Sequence, residues 1–314
     1  FLKKKNEVKV TKILSATIFK KNLFEKIYSF IIILFSTFRI MKILIFNKPD
    51  LIFGMGGYSS FPFCLAAILL RIPLILYENN LHLGKANKYL TPFAKKLFVS
   101  HKELDGVPKK YLYKIRQIGN IIREEILNYD NSKTPKNDQG LKILILGGSQ
   151  AAKIFAEKIP YIFEECVRSK ISLAVYQQCL PEQNKNLSNI YQKLKINYEL
   201  FNFKENIGEY FPKVNLAFTR AGSSMLAELI NARIPFISIP LPSSADNHQY
   251  KNAMFYKKKG FCFIIEEEHL DTKLLSLIKE LNDDISILTK MKITQGQYSD
   301  KTVYENIERE LENI

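Results

Sequence analysis

Three times along the chain, a short apolar strand pattern runs directly into a Gly/Ser-rich loop, and a helical pattern follows. The three loops are residues 54–60, 147–150 and 219–224. Strands that are apolar throughout and separated by helices are typical of parallel sheets covered on both faces. Further strand patterns of this kind occupy residues 73–77, 96–99, 114–118, 173–177 and 235–239. The sequence therefore predicts an α/β fold.

The length of the chain indicates two domains. It has 314 residues, and single cores usually stop growing near about 250 residues. A polar stretch at 131–140 interrupts the alternation, which then restarts, so we place the domain boundary near residue 122. The prediction is two doubly wound Rossmann-like domains, 1–122 and 123–298, that face a cleft at the carboxyl ends of their strands. The last helix, 299–314, has one apolar stripe and is predicted to pack back on the first domain.

The charge of the chain indicates an anionic partner. The formal net charge is +15, and residues 1–46 hold ten basic and two acidic side chains, a net of +8. An excess of this kind suits a phosphorylated substrate, an anionic membrane surface or a nucleic acid. A nucleic-acid partner would rest on charge alone, and we predict none.

The same basic region contains an uncharged apolar run, residues 27–38. As a helix, twelve residues span about 18 Å, which is short of the roughly 30 Å hydrocarbon core of a bilayer. The run is therefore predicted not to cross a membrane. The favoured interpretation is a buried helix flanked by solvated lysines. The alternative is a basic and apolar surface that rests on an anionic membrane.

Cysteine and histidine usage gives no sign of disulfides or of a metal. The four cysteines are scattered with no CxxC pair, the four histidines are dispersed, and no Asp-x-Asp motif occurs. Scattered cysteines favour a reducing compartment. We therefore predict no metal site and no cofactor.

The Gly/Ser loops suit phosphate binding, because a helix N-terminus presents unpaired N–H groups and a partial positive charge. None of the three matches a P-loop or an ordinary dinucleotide fingerprint. Glu228 lies about one turn into the helix after the third loop. There its carboxylate would reach a ribose next to a bound phosphate. The alternative is a solvent-facing carboxylate paired with a nearby Lys or Arg. The polar stretch 240–249 suits sugar hydroxyls, although loop solvation would explain the same composition.

Six short motifs, taken together and in order, resemble the MurG family of glycosyltransferases from about residue 40 to the C-terminus. The motifs are Gly54-Met55-Gly56-Gly57-Tyr58, Glu78-Asn79-Asn80, Gly119-Asn120, Gly147-Gly148-Ser149-Gln150, Arg220-Ala221-Gly222 with Glu228, and Asp246-Asn247-His248-Gln249 followed by Asn252-Ala253. The resemblance implies a GT-B fold and an inverting transfer of GlcNAc from UDP-GlcNAc to lipid I, the undecaprenyl-diphosphate-linked muramoyl-pentapeptide. The product would be lipid II, made for peptidoglycan by a peripheral enzyme on the cytoplasmic face of the bacterial inner membrane.

The resemblance also implies the site residues. Within the donor set, Glu228 corresponds to the ribose-binding acid and Gln249 to a residue that contacts the GlcNAc hydroxyls. The positions that correspond to UDP-GlcNAc ligands are Asn80, Arg123, Ser149, Ser223, Ser224, Glu228 and Gln249. The acceptor diphosphate would face Gly56, Gly57 and Tyr58. The resemblance implies no metal and no cofactor.

The sequence departs from the family pattern at three points. Ala151 replaces a usual Gly, and Tyr77 replaces a usual His. The family's first Gly-rich loop, which carries the His proposed as general base, is expected upstream of Phe1, so no catalytic residue is assigned. Two alternatives stay open: another UDP-sugar enzyme of the same fold, such as a glycolipid synthase or an epimerase, and a non-catalytic UDP-sugar-binding module.

Overall fold

The computed structural model describes residues 10–16, 22–130, 140–148 and 153–312. The chain divides into two compact units. Unit 1 comprises Phe1–Asn120 together with Thr302–Ile314, and unit 2 comprises Ile121–Lys301. Each unit contains a parallel sheet with helices, so the predicted α/β class is confirmed.

Unit 1 contains a four-stranded parallel sheet whose spatial order follows the chain order. Its strands are β1 (Ile52–Gly54), β2 (Leu74–Glu78), β3 (Lys96–Val99) and β4 (Ile115–Gln117). Its helices are α1 (Leu23–Asn47), α2 (Gly57–Leu69), α3 (Lys85–Leu90) and, at the C-terminus, α11 (Val303–Leu311). All five residues of β2 are buried, as a strand covered on both faces must be.

A close approach of α2 to β1 requires glycine at the end of the strand. A Cβ atom at Gly54 would lie 2.6 Å from Cys64 Sγ and 3.1 Å from Leu76 Cδ2. Real Cβ atoms do not come as close as 2.6 Å, so a side chain at this position would force the Cys64 side chain on α2 to shift in a closely packed core.

Helix α1 corrects the prediction of a buried helix over residues 27–38. The helix has 25 residues, about twice the predicted run, and only one face of it is buried: Ser29, Ile33, Ser36, Thr37, Ile40 and Leu44. The opposite side leaves large apolar side chains in solvent: Phe24, Ile27, Phe30, Ile31, Phe35, Phe38 and Phe46 are each at least half exposed. The prediction failed because a helix that is apolar on all sides does not show which face has a partner.

Helix α1 is long and apolar enough to cross a membrane, by length and composition alone. Twenty-five residues rise about 37 Å, which is longer than the roughly 18 Å estimated from the apolar run. A core helix or a signal sequence passes the same test, so it does not decide the role of α1.

The C-terminal helix α11 belongs to unit 1. Lys96 Nζ on β3 contacts Glu310 Oε2 at 2.9 Å and Glu310 O at 2.6 Å. Asn306 Nδ2 donates to Ile118 O at 3.1 Å, and Val303 is fully buried. Polar contacts therefore hold much of this helix, in addition to its apolar stripe.

Unit 2 contains a six-stranded parallel sheet in the order β10-β9-β8-β5-β6-β7. This is the doubly wound arrangement in which the strand order reverses beside the first strand. The strands are β5 (Leu141–Leu146), β6 (Leu173–Gln178), β7 (Asn197–Phe201), β8 (Leu216–Thr219), β9 (Phe236–Ser238) and β10 (Cys262–Ile264). The helices are α4 (Glu124–Leu127), α5 (Lys153–Arg168), α6 (Pro181–Lys193), α7 (Ser223–Asn231), α8 (His248–Lys258), α9 (Leu270–Asp283) and α10 (Ser286–Gln295).

The sequence patterns missed β7 and β10, the two edge strands of unit 2. Strand β7 is exposed at Asn197 and only partly buried at its next three residues, and β10 has three residues. Edge strands carry a weaker apolar signal because one side lacks a neighbouring strand.

Candidate functional site

In unit 2 the candidate site lies at the carboxyl ends of the central strands β5 and β8. The loop after β8 leads into α7, which begins at Ser223, followed by Ser224. Its N-cap is Gly222, which makes no side-chain cap. A Cβ at Gly148, in the loop after β5, would meet nothing within 4 Å, so this backbone faces open space. Ser149, the predicted ligand in that loop, lies outside the described residues.

Glu228 is buried in α7 and paired with Arg123. The Arg123 guanidinium contacts both carboxylate oxygens, Nε to Oε1 at 3.0 Å and Nη2 to Oε2 at 3.1 Å. The third nitrogen, Nη1, donates to Glu205 O at 2.8 Å. The Glu228 side chain is 5% exposed and that of Arg123 is 33% exposed. Glu228 is therefore not solvent-facing, yet it has the Arg partner that the alternative interpretation required.

The environment of Glu228 acts on its protonation in two opposite directions. Burial raises the pKa of the carboxyl, and the neighbouring Arg123 guanidinium partly offsets this because it favours the charged form. A carboxylate has room for about four hydrogen bonds. The Arg123 guanidinium takes two of them, and the Arg123 backbone N–H also hydrogen-bonds the group. The capacity that remains suits a further donor, such as a ribose hydroxyl.

Gln249, the predicted sugar ligand, supports the loop that precedes α7. Its Oε1 accepts from Ala221 N at 3.1 Å and from Leu241 N at 2.9 Å. One turn further along α8, the buried Asn252 donates from Nδ2 to Ala221 O at 3.4 Å. These two side chains hold both backbone polar groups of Ala221. The sequence did not indicate this role, although the i, i+3 spacing places both residues on one face of α8.

Arg220 anchors the same loop from the other side. Its Nη1 lies 2.5 Å from Glu267 Oε2 and donates to Ile239 O at 3.2 Å and to Pro240 O at 3.3 Å. Its guanidinium also stacks over the Phe155 ring, 4.9 Å from the centroid. The loop before α7 is thus held in place by side chains from its neighbours. The sequence places Arg220 within a family motif but does not indicate these contacts.

In unit 1 the predicted acceptor residues lie where β1 leads into α2: Gly56 is the N-cap of α2, and Gly57 and Tyr58 are its first two residues. Gly56 and Gly57 have positive φ angles of 76° and 73°, which favour glycine. Ser60 Oγ donates to Gly56 O at 2.7 Å, and the Tyr58 side chain is exposed. A shallow pocket beside this segment is lined by β1, α2 and the residues between them.

Asn80 follows β2 in unit 1 and is held by a buried carboxylate. Glu78 Oε1 accepts from Asn80 N at 3.2 Å and from Asn80 Nδ2 at 2.9 Å. Tyr77, which replaces the usual family His, hydrogen-bonds Ser100 Oγ at 3.0 Å and donates to Gly119 O at 3.3 Å. Tyr77 is therefore hydrogen-bonded to residues that follow the neighbouring strands β3 and β4.

Comparisons with known proteins identify the family. Residues 142–307 match the glycosyltransferase family 28 C-terminal domain, and residues 1–99 match the glycosyltransferase family 28 N-terminal domain. The chain is 39% identical over 251 residues to the UDP-N-acetylglucosamine--N-acetylmuramyl-(pentapeptide) pyrophosphoryl-undecaprenol N-acetylglucosamine transferase of Rickettsia canadensis (strain McKiel), covering 78% of this chain and 70% of the relative.

A second relative and a solved structure agree. The transferase of the same name from Pelagibacter ubique (strain HTCC1062) is 35% identical over 283 residues, covering 90% of this chain and 79% of the relative. The crystal structure of Acinetobacter baumannii MurG superposes with a TM-score of 0.75 at 24% identity, covering 100% of this chain and 86% of that one, which supports the GT-B fold. The chain therefore belongs to glycosyltransferase family 28 and, within it, to the MurG family of N-acetylglucosamine transferases.

Proposed function

We propose that the chain binds UDP-GlcNAc and transfers GlcNAc to an undecaprenyl-diphosphate-linked muramoyl-pentapeptide, the reaction for which its relatives are named. The observation that carries the proposal for this chain is the buried carboxylate of Glu228, which Arg123 holds one turn inside α7. A buried, paired carboxylate next to an anion-binding helix start matches the two ends of a nucleoside diphosphate: ribose hydroxyls and phosphates.

The chemistry follows from this placement. Transfer breaks the bond between the sugar and the diphosphate, so negative charge develops on the leaving UDP. The N-terminus of α7 supplies N–H groups and a partial positive charge there, and the loop in front of it is held by Arg220, Gln249 and Asn252 before any ligand arrives. Fixed donors of this kind stabilise a leaving anion without reorganisation. Ser223, Ser224 and the Nε2 group of Gln249 are the donors we assign to the phosphates and the sugar.

Binding and transfer assays on the full chain test this function. Calorimetry with UDP, UDP-GlcNAc and UDP-glucose should show tightest binding of UDP-GlcNAc. Incubation with labelled UDP-GlcNAc and a short-chain analogue of lipid I should give a labelled lipid product. Conversion of the sugar without any acceptor would support an epimerase instead. Binding of UDP-GlcNAc without product would support a non-catalytic module.

We further propose that α1 docks the protein on the anionic cytoplasmic face of the membrane. A lipid-linked acceptor requires the enzyme to reach the bilayer surface. The exposed apolar side of α1 includes Phe24, Phe35 and Phe38, and exposed basic residues, Lys26, Arg39 and Lys42, lie on the same helix. Anionic lipids attract such charges with about 1 kcal/mol per basic residue near the surface. Apolar contact adds a part that salt does not screen.

Vesicle co-sedimentation tests the docking proposal. The double variant Phe35→Gln, Phe38→Gln should bind vesicles of phosphatidylserine and phosphatidylcholine less than the unchanged chain. A matched control is Tyr161→Gln, which alters an exposed aromatic residue of unit 2. The variant Lys26→Gln, Lys42→Gln should lose the salt-sensitive part of binding. Equal sedimentation of all variants would exclude α1 as the docking element, and salt-resistant binding of every variant would instead favour insertion of the helix.

A further inference from the structure

The carboxylate of Glu78, at the end of β2, organises the loop that carries Asn80. Oε1 accepts from the backbone and side-chain nitrogens of Asn80, as described above. Oε2 accepts from Gly84 N at 2.9 Å and from Asn87 Nδ2 at 3.0 Å. Glu78 is 5% exposed, so four donors surround a carboxylate that water barely reaches. Because a carboxylate accepts about four hydrogen bonds, this set saturates it.

Asn87 connects this carboxylate to the turn between β1 and α2. Its Nδ2 donates to Glu78 Oε2 and to Tyr77 O at 3.0 Å, an arrangement that fixes the orientation of the amide because both partners are acceptors. Asn87 is 1% exposed. A Cβ at Gly56 would lie 3.0 Å from Asn87 Nδ2 and 3.4 Å from Tyr77 O, so the turn rests directly on this amide.

The two predicted substrate groups of unit 1 therefore share one buried support. One oxygen of Glu78 faces Asn80, which the family resemblance relates to the donor UDP-GlcNAc. The other oxygen faces Asn87, against which Gly56 of the predicted acceptor segment packs. Side chains that hold ligand-binding groups in one geometry lower the cost of ordering them when the ligand arrives.

We propose that Glu78 is a positioning residue for both substrates, orienting Asn80 toward the donor sugar and supporting, through Asn87, the Gly56–Tyr58 segment for the acceptor diphosphate. This inference rests on the proposed function. It assigns to Glu78 no contact with substrate. Its effect on binding passes through Asn80 and Asn87.

The proposal has two parts: a donor arm, in which Glu78 orients Asn80 for UDP-GlcNAc, and an acceptor arm, in which Glu78 acts through Asn87 on the Gly56–Tyr58 segment. The isosteric substitution Glu78→Gln tests the donor arm. The amide keeps the shape of the side chain but replaces one acceptor oxygen with an NH₂ donor. This NH₂ would face the N–H groups that now donate to that oxygen. Calorimetry on the full chain gives the ratio of the UDP and UDP-GlcNAc dissociation constants, which isolates the contribution of the sugar. This ratio should fall by about tenfold, the effect of losing one hydrogen bond to a charged group, while UDP alone binds as before. Glu103→Gln, which removes a charge from an exposed position in the same unit, is the matched control and should change neither value.

A double-mutant cycle separates positioning from a general loss of structure. If Glu78 acts through Asn80, Glu78→Gln should reduce the ratio in the unchanged chain but not in the Asn80→Ala background. Additive losses in the two variants would overturn the donor arm of the proposal. Thermal unfolding of each variant shows whether the fold is retained.

Asn87→Ala tests the acceptor arm. It also provides a second test of the proposal if Glu78→Gln does not fold. It leaves the contact of Glu78 with Asn80 in place but removes the amide beneath Gly56. Binding of a short-chain polyprenyl-diphosphate analogue of lipid I should weaken by about tenfold, with the UDP-GlcNAc to UDP ratio retained. Unchanged analogue binding would overturn this arm.

The outcomes distinguish this inference from the proposed function. If the unchanged chain binds UDP-GlcNAc no better than UDP, the proposed function fails at the first step. If it prefers UDP-GlcNAc and Glu78→Gln keeps both that preference and the affinity for the lipid I analogue in full, the positioning role of Glu78 is wrong while the function stands.

Discussion

Arg123 contacts both carboxylate oxygens of Glu228, a residue 105 positions further along the chain. The distances are 3.0 Å from Nε to Oε1 and 3.1 Å from Nη2 to Oε2. Family resemblance relates each residue separately to the donor. The structure shows that they are also partners, since Arg123 at the start of α4 fixes the carboxylate of α7. A two-point contact of this kind orients the carboxylate as well as neutralising it. We therefore expect the pair to orient the carboxylate within the proposed ribose site.

Glu228→Ala should weaken UDP binding. The ribose would lose an ionised acceptor, and hydrogen bonds to charged groups contribute about 1.5–3 kcal/mol. Calorimetric titration of the full chain with UDP measures the loss directly. Glu182→Ala, an exposed carboxylate on α6, is the matched control and should bind UDP normally. Full UDP affinity in Glu228→Ala would reduce Glu228 to a structural partner of Arg123.

Gln249→Ala should weaken UDP-GlcNAc binding more than UDP binding, yet affect both. The loop before α7 loses two hydrogen bonds, to Ala221 N and Leu241 N, which either ligand would sense. The sugar loses in addition any partner on Nε2. At about 0.5–1.5 kcal/mol for each net hydrogen bond, we expect about 1–3 kcal/mol for UDP-GlcNAc and about half of that for UDP.

The control for this prediction is Gln297→Ala, which truncates an exposed glutamine of unit 2. Equal losses for the two ligands would mean that Gln249 supports the loop alone and does not contact the sugar. A loss for UDP-GlcNAc only would mean that the loop keeps its geometry without Gln249.

Arg123→Gln should make the stability of the protein more dependent on pH. Burial raises the pKa of Glu228 in the folded state above its ordinary value of 4.5, and Arg123 limits that rise. The folded protein therefore binds this proton more tightly than the unfolded chain does. The contribution of the group to stability is present below the unfolded pKa and is lost as pH rises through the folded pKa. Removing Arg123 raises the pKa of Glu228 in the folded state further, so the free energy of unfolding falls more as pH rises.

Denaturant unfolding measured from about pH 4 to pH 8 tests this sign. The free energy of unfolding of Arg123→Gln should fall more with rising pH than that of the unchanged chain. The double variant Arg123→Gln, Glu228→Gln lacks the titrating group and should remove the difference. Parallel curves for the single variant and the unchanged chain would contradict the prediction.

Lys114→Met should destabilise the protein by about 2–4 kcal/mol, because it leaves buried carbonyl groups without their donor. Lys114 is 7% exposed, and its Nζ donates to Thr91 O, Pro92 O and Ala94 O at 2.7–2.9 Å. The residue thus secures the chain between α3 and β3. Denaturant unfolding checks the value. Lys109→Met, a neighbouring exposed lysine, should change stability little, and equal effects of the two would exclude a specific role for Lys114.

The sequence predicted the elements whose signal is local. The central strands are apolar on both faces, and this property belongs to each segment by itself. The stretches 73–77 and 142–146 therefore read correctly as buried parallel strands, observed as Leu74–Glu78 and Leu141–Leu146. Gly56 and Gly57 marked a turn because positive φ angles suit glycine. The spacing from Ser223 to Glu228 is also a local property, and it placed the carboxylate one turn into α7, as observed.

The tertiary structure decided what depends on neighbours distant in sequence. The exposed side of α1 follows from which elements cover it, and an apolar helix does not encode this. The contacts of Arg123 with Glu228, of Gln249 with Ala221 and of Glu78 with Asn87 depend on strand order and helix placement. A carboxylate or amide side chain in sequence shows only its capacity for hydrogen bonds. Which donor satisfies that capacity is set when folding removes the side chain from water and brings one partner within about 3 Å.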